Sequence, residues 1–518
     1  MSILSFEFLF FTAAVWMVYY LLPRRRRWLA LLLGSFLFVS CAGWRSVVHL
    51  TVVAWNVWLG GLVLEILKRK EADLRSTEGA GRSVKRYETL QKIVLAMLLT
   101  FDLGAMAFLK YEPAAAAWLN DLGQGRWSFP VWELAAPLGL SYFTFQSAGW
   151  LVDVYRGKAQ AQKNPLKMWL FLGYFPQMTQ GPISAWKELG GQLFEEHVLE
   201  PEVVSGGFLR MLWGYFKKLV IADRLALTTA VLLGEEGLPG WMAVGGAALY
   251  MVRLYADFSG GVDVVRGISQ MFGIVLPENF RRPFFSESVA EYWRRWHRTL
   301  GAWFRSYLLY PFTTSKAGLA LGRAASKVFG KMVGRLVPTV VGTFLVFLLI
   351  GVWHTANWNA VIYGAYFGFV MAGAILLTPL WKKMNRTFRT PKGGWMRGVR
   401  VARTWILVLI PQYFAFTSGP RQGFSLLLQS FSGWDFSGFA KRMTGIMTVR
   451  EWVIAGIALL VLLAVDVLGE RGVDVCGRIA KARVWVRWQV LLALLLGILV
   501  LGVYGPEFDG AAFLYTQF

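Results

Sequence analysis

A chain of 518 residues with 56% hydrophobic side chains, 25 tryptophans and 16% charged residues departs from soluble composition, in which about a quarter of residues are charged. Its net charge of +23 argues for lipid headgroups rather than nucleic acid, because the basic residues cluster in loops between apolar runs, where they set orientation and attract anionic lipid. Two cysteines (Cys41 and Cys476, expected near opposite membrane faces) and four scattered histidines supply neither a disulfide framework nor a metal-ligand spacing, and no metal is expected.

The first apolar run ends before Arg24 to Arg27, the reverse of a signal peptide, so a retained helix with its N-terminus outside is predicted. Spans near 5–22, 28–42 and 46–66 lead to a basic loop holding Lys68, Arg69, Lys70, Arg82, Lys85 and Arg86, placed inside. A fourth span near 92–109 returns outward to a Pro- and Trp-containing segment, 112–135. A fifth ends before Arg156. Residues 165–330 are broken by Pro176, Pro182, Gly260, Gly261, Pro277 and Pro283 and carry Asp257, Asp263 and Glu278. Such backbone is tolerated at membrane depth only when buried in protein or lining a cavity, so one helical pair (206–233 and 241–268) with re-entrant and amphipathic helices is expected there. Spans resume near 337–353 and 358–379. A basic loop from Lys382 to Arg403 follows, then spans near 404–418, 451–468 and 488–505. The sum is an all-α polytopic membrane protein of about 10 to 12 spans, both termini outside, without evident internal repeat.

Two histidines stand out. His354 follows the uncharged run Val337 to Trp353. A histidine there needs a partner or a wet cavity, and its side chain titrates near neutrality. It reads either as a boundary histidine beside Trp353 and Trp358 or as a general base, with Asn357 and Asn359 close enough to orient it or donate to an oxyanion. His297 sits in Tyr292-Trp293-Arg294-Arg295-Trp296-His297-Arg298. On a continuous helix Trp293, Leu300, Phe304 and Leu308 fall within about 60° of it. It reads either as a core residue of an interfacial helix or as the cytosolic mouth of a cavity whose arginines attract an anionic donor. His49 and His197 read as structural or solvated. Asp257 and Asp263 read as helix-capping or arginine-paired carboxylates, or as ion or proton carriers. No Walker loop or GxSxG elbow is present.

Together these segments resemble the membrane-bound O-acyltransferase family, in particular its bacterial branch acting on alginate and teichoic acid. The resemblance rests on Tyr142-Phe143-Thr144-Phe145-Gln146, Val152-Asp153-Val154-Tyr155-Arg156-Gly157, Tyr174-Phe175-Pro176 with Gly181-Pro182-Ile183, and Asp257-Phe258-Ser259-Gly260. It continues through Leu276-Pro277-Glu278-Asn279-Phe280, Arg282-Pro283, the two histidine strings with Trp358-Asn359, and Phe513-Leu514-Tyr515-Thr516-Gln517-Phe518. It spans nearly the whole chain, treated as one membrane domain with N-terminal spans (1–160), a core holding both histidines (165–380) and C-terminal spans (400–518). The resemblance implies a ring of helices around a tunnel, His354 as the catalytic histidine and His297 as the second, with His297 toward the cytosol and His354 toward the outer end of its span. Arg294, Arg295, Arg298, Trp296, Asp257, Asn279 and Trp353 are expected around the donor, and Asn359 or a nearby N–H at the oxyanion. The donor would be a cytosolic thioester, acetyl-CoA or a carrier-protein thioester, with no bound cofactor. The acceptor would be a surface polysaccharide, directly or through an extracytoplasmic acyltransferase-like partner, in a bacterial plasma membrane. D-alanyl transfer to teichoic acid is the alternative within the family. A flippase using Asp102, Asp257 and Asp263 is the alternative outside it. The chain departs from the family pattern at Thr355 (usually Gly), Ser306 (usually Asp) and Gly261-Val262.

Overall fold

Inside a bilayer every backbone polar group has to be satisfied within its own segment, so the apolar runs fold as helices. The structure, a computed structural model, describes every residue except 78–80, 125, 133–135, 235–237, 388–392 and 505–518. The motif Phe513 to Phe518 and the basic residues Arg389 and Lys392 therefore lie outside the described residues. The described chain is helical without strands and divides into two units, Met1–Phe208 with Val265–Pro277, and Leu209–Val264 with Glu278–Phe518.

Six described helices are long and apolar enough to cross a membrane: Trp44–Arg75, Gly81–Gly123, Lys316–His354, Trp358–Trp381, Val449–Glu470 and Val484–Leu501. This is fewer than the 10 to 12 expected. A span needs about 20 residues, and several apolar runs stop short of that: Phe6–Leu21 has 16, Arg27–Ser40 has 14 and Leu140–Tyr155 has 16. Elsewhere helices are longer than their apolar runs. Gly81–Gly123 continues through Pro113 into the segment expected to be an outer loop. The basic stretch before Val337 is itself helical, kinked at Gly330 (φ 81°, ψ 161°).

In the first unit the rings of Phe8, Phe11, Phe38, Phe175 and Phe272 interlock in edge-to-face and tilted contacts. Trp150 packs so tightly on the Trp44–Arg75 helix that a Cβ at Gly61 would collide with its ring. His197 is tied to the Gln192 carbonyl through Nε2 (2.6 Å), and the His49 ring lies tilted against that of Phe143.

In the second unit, helices Lys316–His354 and Trp358–Thr387 form the closest-packed pair. Gly351 meets Gly364 and the Ala360 carbonyl, an approach that no side chain would allow. This tight hairpin turns at Thr355 to Asn357, delivering His354 at the end of one helix and Asn359 at the start of the next. A π-helical segment, Phe216–Ala222, carries two buried lysines. Lys218 bridges Asp223 and Asp257 (2.7 Å each), and Lys217 bridges Asp263 (2.7 Å) and Ser259 (2.9 Å). Each ammonium thus has carboxylate partners, which a charge removed from water requires.

Candidate active site

His297 does not lie on a continuous helix. The chain breaks there into two seven-residue helices, Val289–Arg295 and Arg298–Phe304, with His297 itself left-handed (φ 41°, ψ 53°). A non-glycine residue in that region is strained and needs external support. Asn279 supplies it. Its backbone carbonyl accepts from Arg298 N–H (2.9 Å), and its Oδ1 accepts from Thr299 N–H (3.2 Å), Thr299 Oγ1 (3.0 Å) and His297 Nδ1 (3.1 Å). The Thr299 N–H fixes which amide atom is the oxygen. A carbonyl oxygen only accepts, so Nδ1 of His297 carries the proton and Nε2 the lone pair. His297 lies outside the six spans. Its burial, and less strongly the His354 imidazole, hold its pKa well below the usual 6.5, so the neutral tautomer persists.

The two histidines share one neighbourhood rather than opposite ends of a path. The ring of Trp353 is 6.4 Å from that of His297 and 4.7 Å from that of His354, and Phe258 closes on His297 edge to face at 4.9 Å. The two motif histidines are thus neighbours, each in ring contact with Trp353. Trp353, near the end of a helix that packs against its hairpin partner, brings the region around both rings together.

His354 lines a cavity of about 110 Å³ together with Thr355, Asn357 and Asn359 from the hairpin turn, Trp293 and Trp296 from the arginine-rich helix, and Tyr250, Phe258, Tyr363, Phe414 and Thr417. Asn357 caps the following helix, its Oδ1 accepting from Ala360 N–H at 2.9 Å. Asn359 is 5% exposed and donates its amide N–H to the Thr417 carbonyl (2.7 Å) and Thr417 Oγ1 (3.3 Å), while its Oδ1 has no partner. The amide thus offers an acceptor, not the donor expected at an oxyanion. Of the first N–H groups of the Trp358 helix, that of Ala360 is taken by Asn357, while those of Trp358 and Asn359 by helix geometry lack intrahelical acceptors and can serve as donors.

The expected donor-binding set separates. Trp296 lines the cavity, Trp353 stands between the imidazoles, and Asn279 positions His297. Asp257 is bound to Lys218. Arg295 is committed to Glu291 (2.6 Å) and Glu470 (2.8 Å). Arg298 pairs with Glu278 at 3.2 Å near the surface, and Arg294 is exposed. Tyr250, Tyr363 and Thr417 were not legible as site residues. Tyr250 comes from the Gly240–Met271 helix and Thr417 from the bend after Gln412–Ala415, while Tyr363 lies one turn past Asn359 on the same helix; no local spacing marks any of them.

No protein-family signature matches the chain. Among curated proteins, the probable alginate O-acetylase AlgI of Pseudomonas aeruginosa is 32% identical over 371 residues, 70% of this chain and 64% of that protein. A peptidoglycan O-acetyltransferase of Helicobacter pylori is 29% identical over 54% of this chain and 55% of that protein. A teichoic acid D-alanyltransferase of Bacillus subtilis is 26% identical over 55% of this chain and 69% of that protein. The chain spans less than two thirds of the length of the alginate O-acetylases it matches.

Proposed function

We propose, from the premise that this chain belongs to the membrane-bound O-acyltransferase family of its alginate O-acetylase relatives, that it transfers an acetyl group from a cytosolic thioester to a hydroxyl of a cell-surface polysaccharide or of a partner protein that relays it. The observation that carries the reading is His354 in the wall of an aromatic cavity at the end of a spanning helix, with a helix N-terminus beside it. His354 removes the proton of the accepting hydroxyl as its oxygen attacks the thioester carbonyl. The first N–H groups of the Trp358 helix stabilise the resulting oxyanion. Collapse breaks the carbon–sulfur bond, and the departing thiolate takes the proton back from His354. Both protons and electrons balance, with ester and free thiol as products. Asn279, His297 and Trp353 hold the wall behind His354 in place.

The setting is the plasma membrane of a bacterium, with donor on the inside and acceptor on the outside. The relatives' names support a second reading, D-alanyl transfer from a carrier-protein thioester. Purified protein in lipid, given radiolabelled acetyl-CoA or a D-alanyl carrier thioester with candidate acceptors, tests both. Transfer from acetyl-CoA, lost in His354→Ala, is expected. Transfer from the carrier thioester alone selects the second reading. Unchanged transfer in His354→Ala removes the assignment of the base. Absence of turnover from every thioester favours transport of a lipid-linked or anionic substrate.

A further inference from the structure

We infer that the cavity beside His354 recognises one secondary amide of a pantetheine arm, with Asn359 Oδ1 accepting the amide N–H and Trp293 Nε1–H donating to the amide carbonyl. The inference rests on the acyl-transfer reading, because a pantetheine arm is what carries the thioester of either donor source. Two buried polar atoms in residues of the cavity wall have no hydrogen-bond partner, Asn359 Oδ1 and Trp293 Nε1. A buried polar group left unpaired is costly, and native structures hold few of them. These two are of opposite kind. The orientation of the Asn359 amide is fixed by Thr417: its backbone carbonyl can only accept from Nδ2, and its hydroxyl already donates to the Tyr413 carbonyl (2.8 Å), so it too accepts from Nδ2. The remaining capacity of Asn359 is therefore an acceptor, whereas an indole nitrogen is only ever a donor. A ligand satisfying both must present one N–H or O–H and one acceptor.

A uronic-acid sugar presents hydroxyls of that kind, but also a carboxylate. No lysine or arginine lines the cavity; apart from His354 its wall is neutral, with Phe258, Trp296, Tyr363 and Phe414 beside the polar Thr355, Asn357 and Thr417. A carboxylate there would have no cation beside it except the base itself, whose protonation would take away its function, so its burial is costly. A neutral amide on a slim chain has no such penalty, and its N–H and C=O are the complement of the two orphaned atoms. Held there, the amide fixes how far the thioester carbonyl extends toward His354.

The test is equilibrium binding of the non-reacting thioether S-acetonyl-pantetheine to the full-length protein in lipid, compared with analogues N-methylated at each of its two amides. Wild type should bind one methylated analogue about 10- to 100-fold more weakly. In Asn359→Leu the parent should bind more weakly and that methylation should cost nothing further, a coupling that a merely structural role for Asn359 would not produce. Trp293→Phe should weaken the parent similarly. If wild type binds both methylated analogues as tightly as the parent, or if Asn359→Leu still discriminates as strongly as wild type, the inference is overturned. The wild-type comparison keeps this decisive even if a variant fails to fold. Tighter binding of a uronic-acid disaccharide than of S-acetonyl-pantetheine, lost in Asn359→Leu, would also overturn it. Turnover of acetyl-CoA and of an acetylated carrier protein, measured separately, distinguishes the two sources of the arm. Amide-dependent binding without turnover of either leaves this inference standing and removes the acyl-transfer reading, and turnover without amide dependence does the reverse.

Discussion

Two polar regions of the second unit are buried in apolar surroundings and have opposite finishes. Around the π-helical segment, Lys218 is answered by Asp223 and Asp257, and Lys217 by Asp263 and Ser259, so the charges close on one another. Around the cavity, Asn359 Oδ1 and Trp293 Nε1 are left open. A closed network fixes structure, because any partner removed leaves an uncompensated charge. An open one costs stability in the empty protein and returns it when a ligand arrives. Asp257 and Phe258, adjacent on one helix, divide between the two: the carboxylate goes to Lys218, the ring to the cavity and His297.

Substitutions break this contrast in different observables. The largest effect is expected from His354→Ala, which should lower acyl transfer by about 10²- to 10⁴-fold, the range for loss of a general base, with the melting temperature in detergent near that of wild type. Next is Lys218→Met, which strands Asp223 and Asp257 and should destabilise by about 3–5 kcal/mol in thermal unfolding. Adding Asp223→Asn and Asp257→Asn to it should recover most of that stability. If Lys218→Met instead leaves stability intact and abolishes transfer, the closed network is part of the chemistry and the contrast fails.

The hairpin at His354 was legible because an uncharged run of spanning length ending in Trp-His, followed by an Asn-rich turn, imposes helix, turn and helix in order. The paired approach of Gly351 and Gly364 then sets the geometry. The break at His297 was not legible. Trp296-His297-Arg298 contains no glycine or proline, and the amphipathic spacing reads as one helix. The left-handed residue is supported by Asn279, distant in sequence, which accepts from its ring and from the two residues that follow it. The polarity that Asn359 presents was not legible either. Its neighbour Thr417 lies far along the chain, and only that contact reveals which amide atom is spoken for. Trp293 carried no signal beyond core aromatic spacing.

A smaller and more pointed effect concerns pH. His297 is held neutral in the folded protein with its pKa well below 6.5, whereas an unfolded chain takes up the proton near that value. Its contribution is therefore fully present above about pH 6.5 and is lost as pH falls from there toward the folded-state pKa, at up to about 1.4 kcal/mol per pH unit. His297→Gln should flatten the stability profile of wild type below pH 6.5 while leaving the profile above it parallel. An unchanged slope would mean that the imidazole gains a proton in the folded state, and with it a role at the cavity that a neutral support does not have.

The smallest effect is the one that separates surface charge from site. Arg298 pairs with Glu278 where the two side chains are 37% and 48% exposed, and such pairs are worth about 0–1 kcal/mol. Arg298→Ala should therefore leave thermal stability within about 1 kcal/mol of wild type. If the residue steers an anionic thioester donor toward the cavity, its loss should raise the donor KM and reduce the dependence of that KM on salt, with kcat unchanged. Steering acts through long-range charge and fades with ionic strength, whereas amide recognition at Asn359 acts by contact and does not. Measuring the donor KM of Arg298→Ala and Asn359→Leu across a salt series thus separates arrival from recognition. A salt-independent KM in wild type would leave the arginines of the Trp293 helix to membrane attachment, and all donor selection to the cavity.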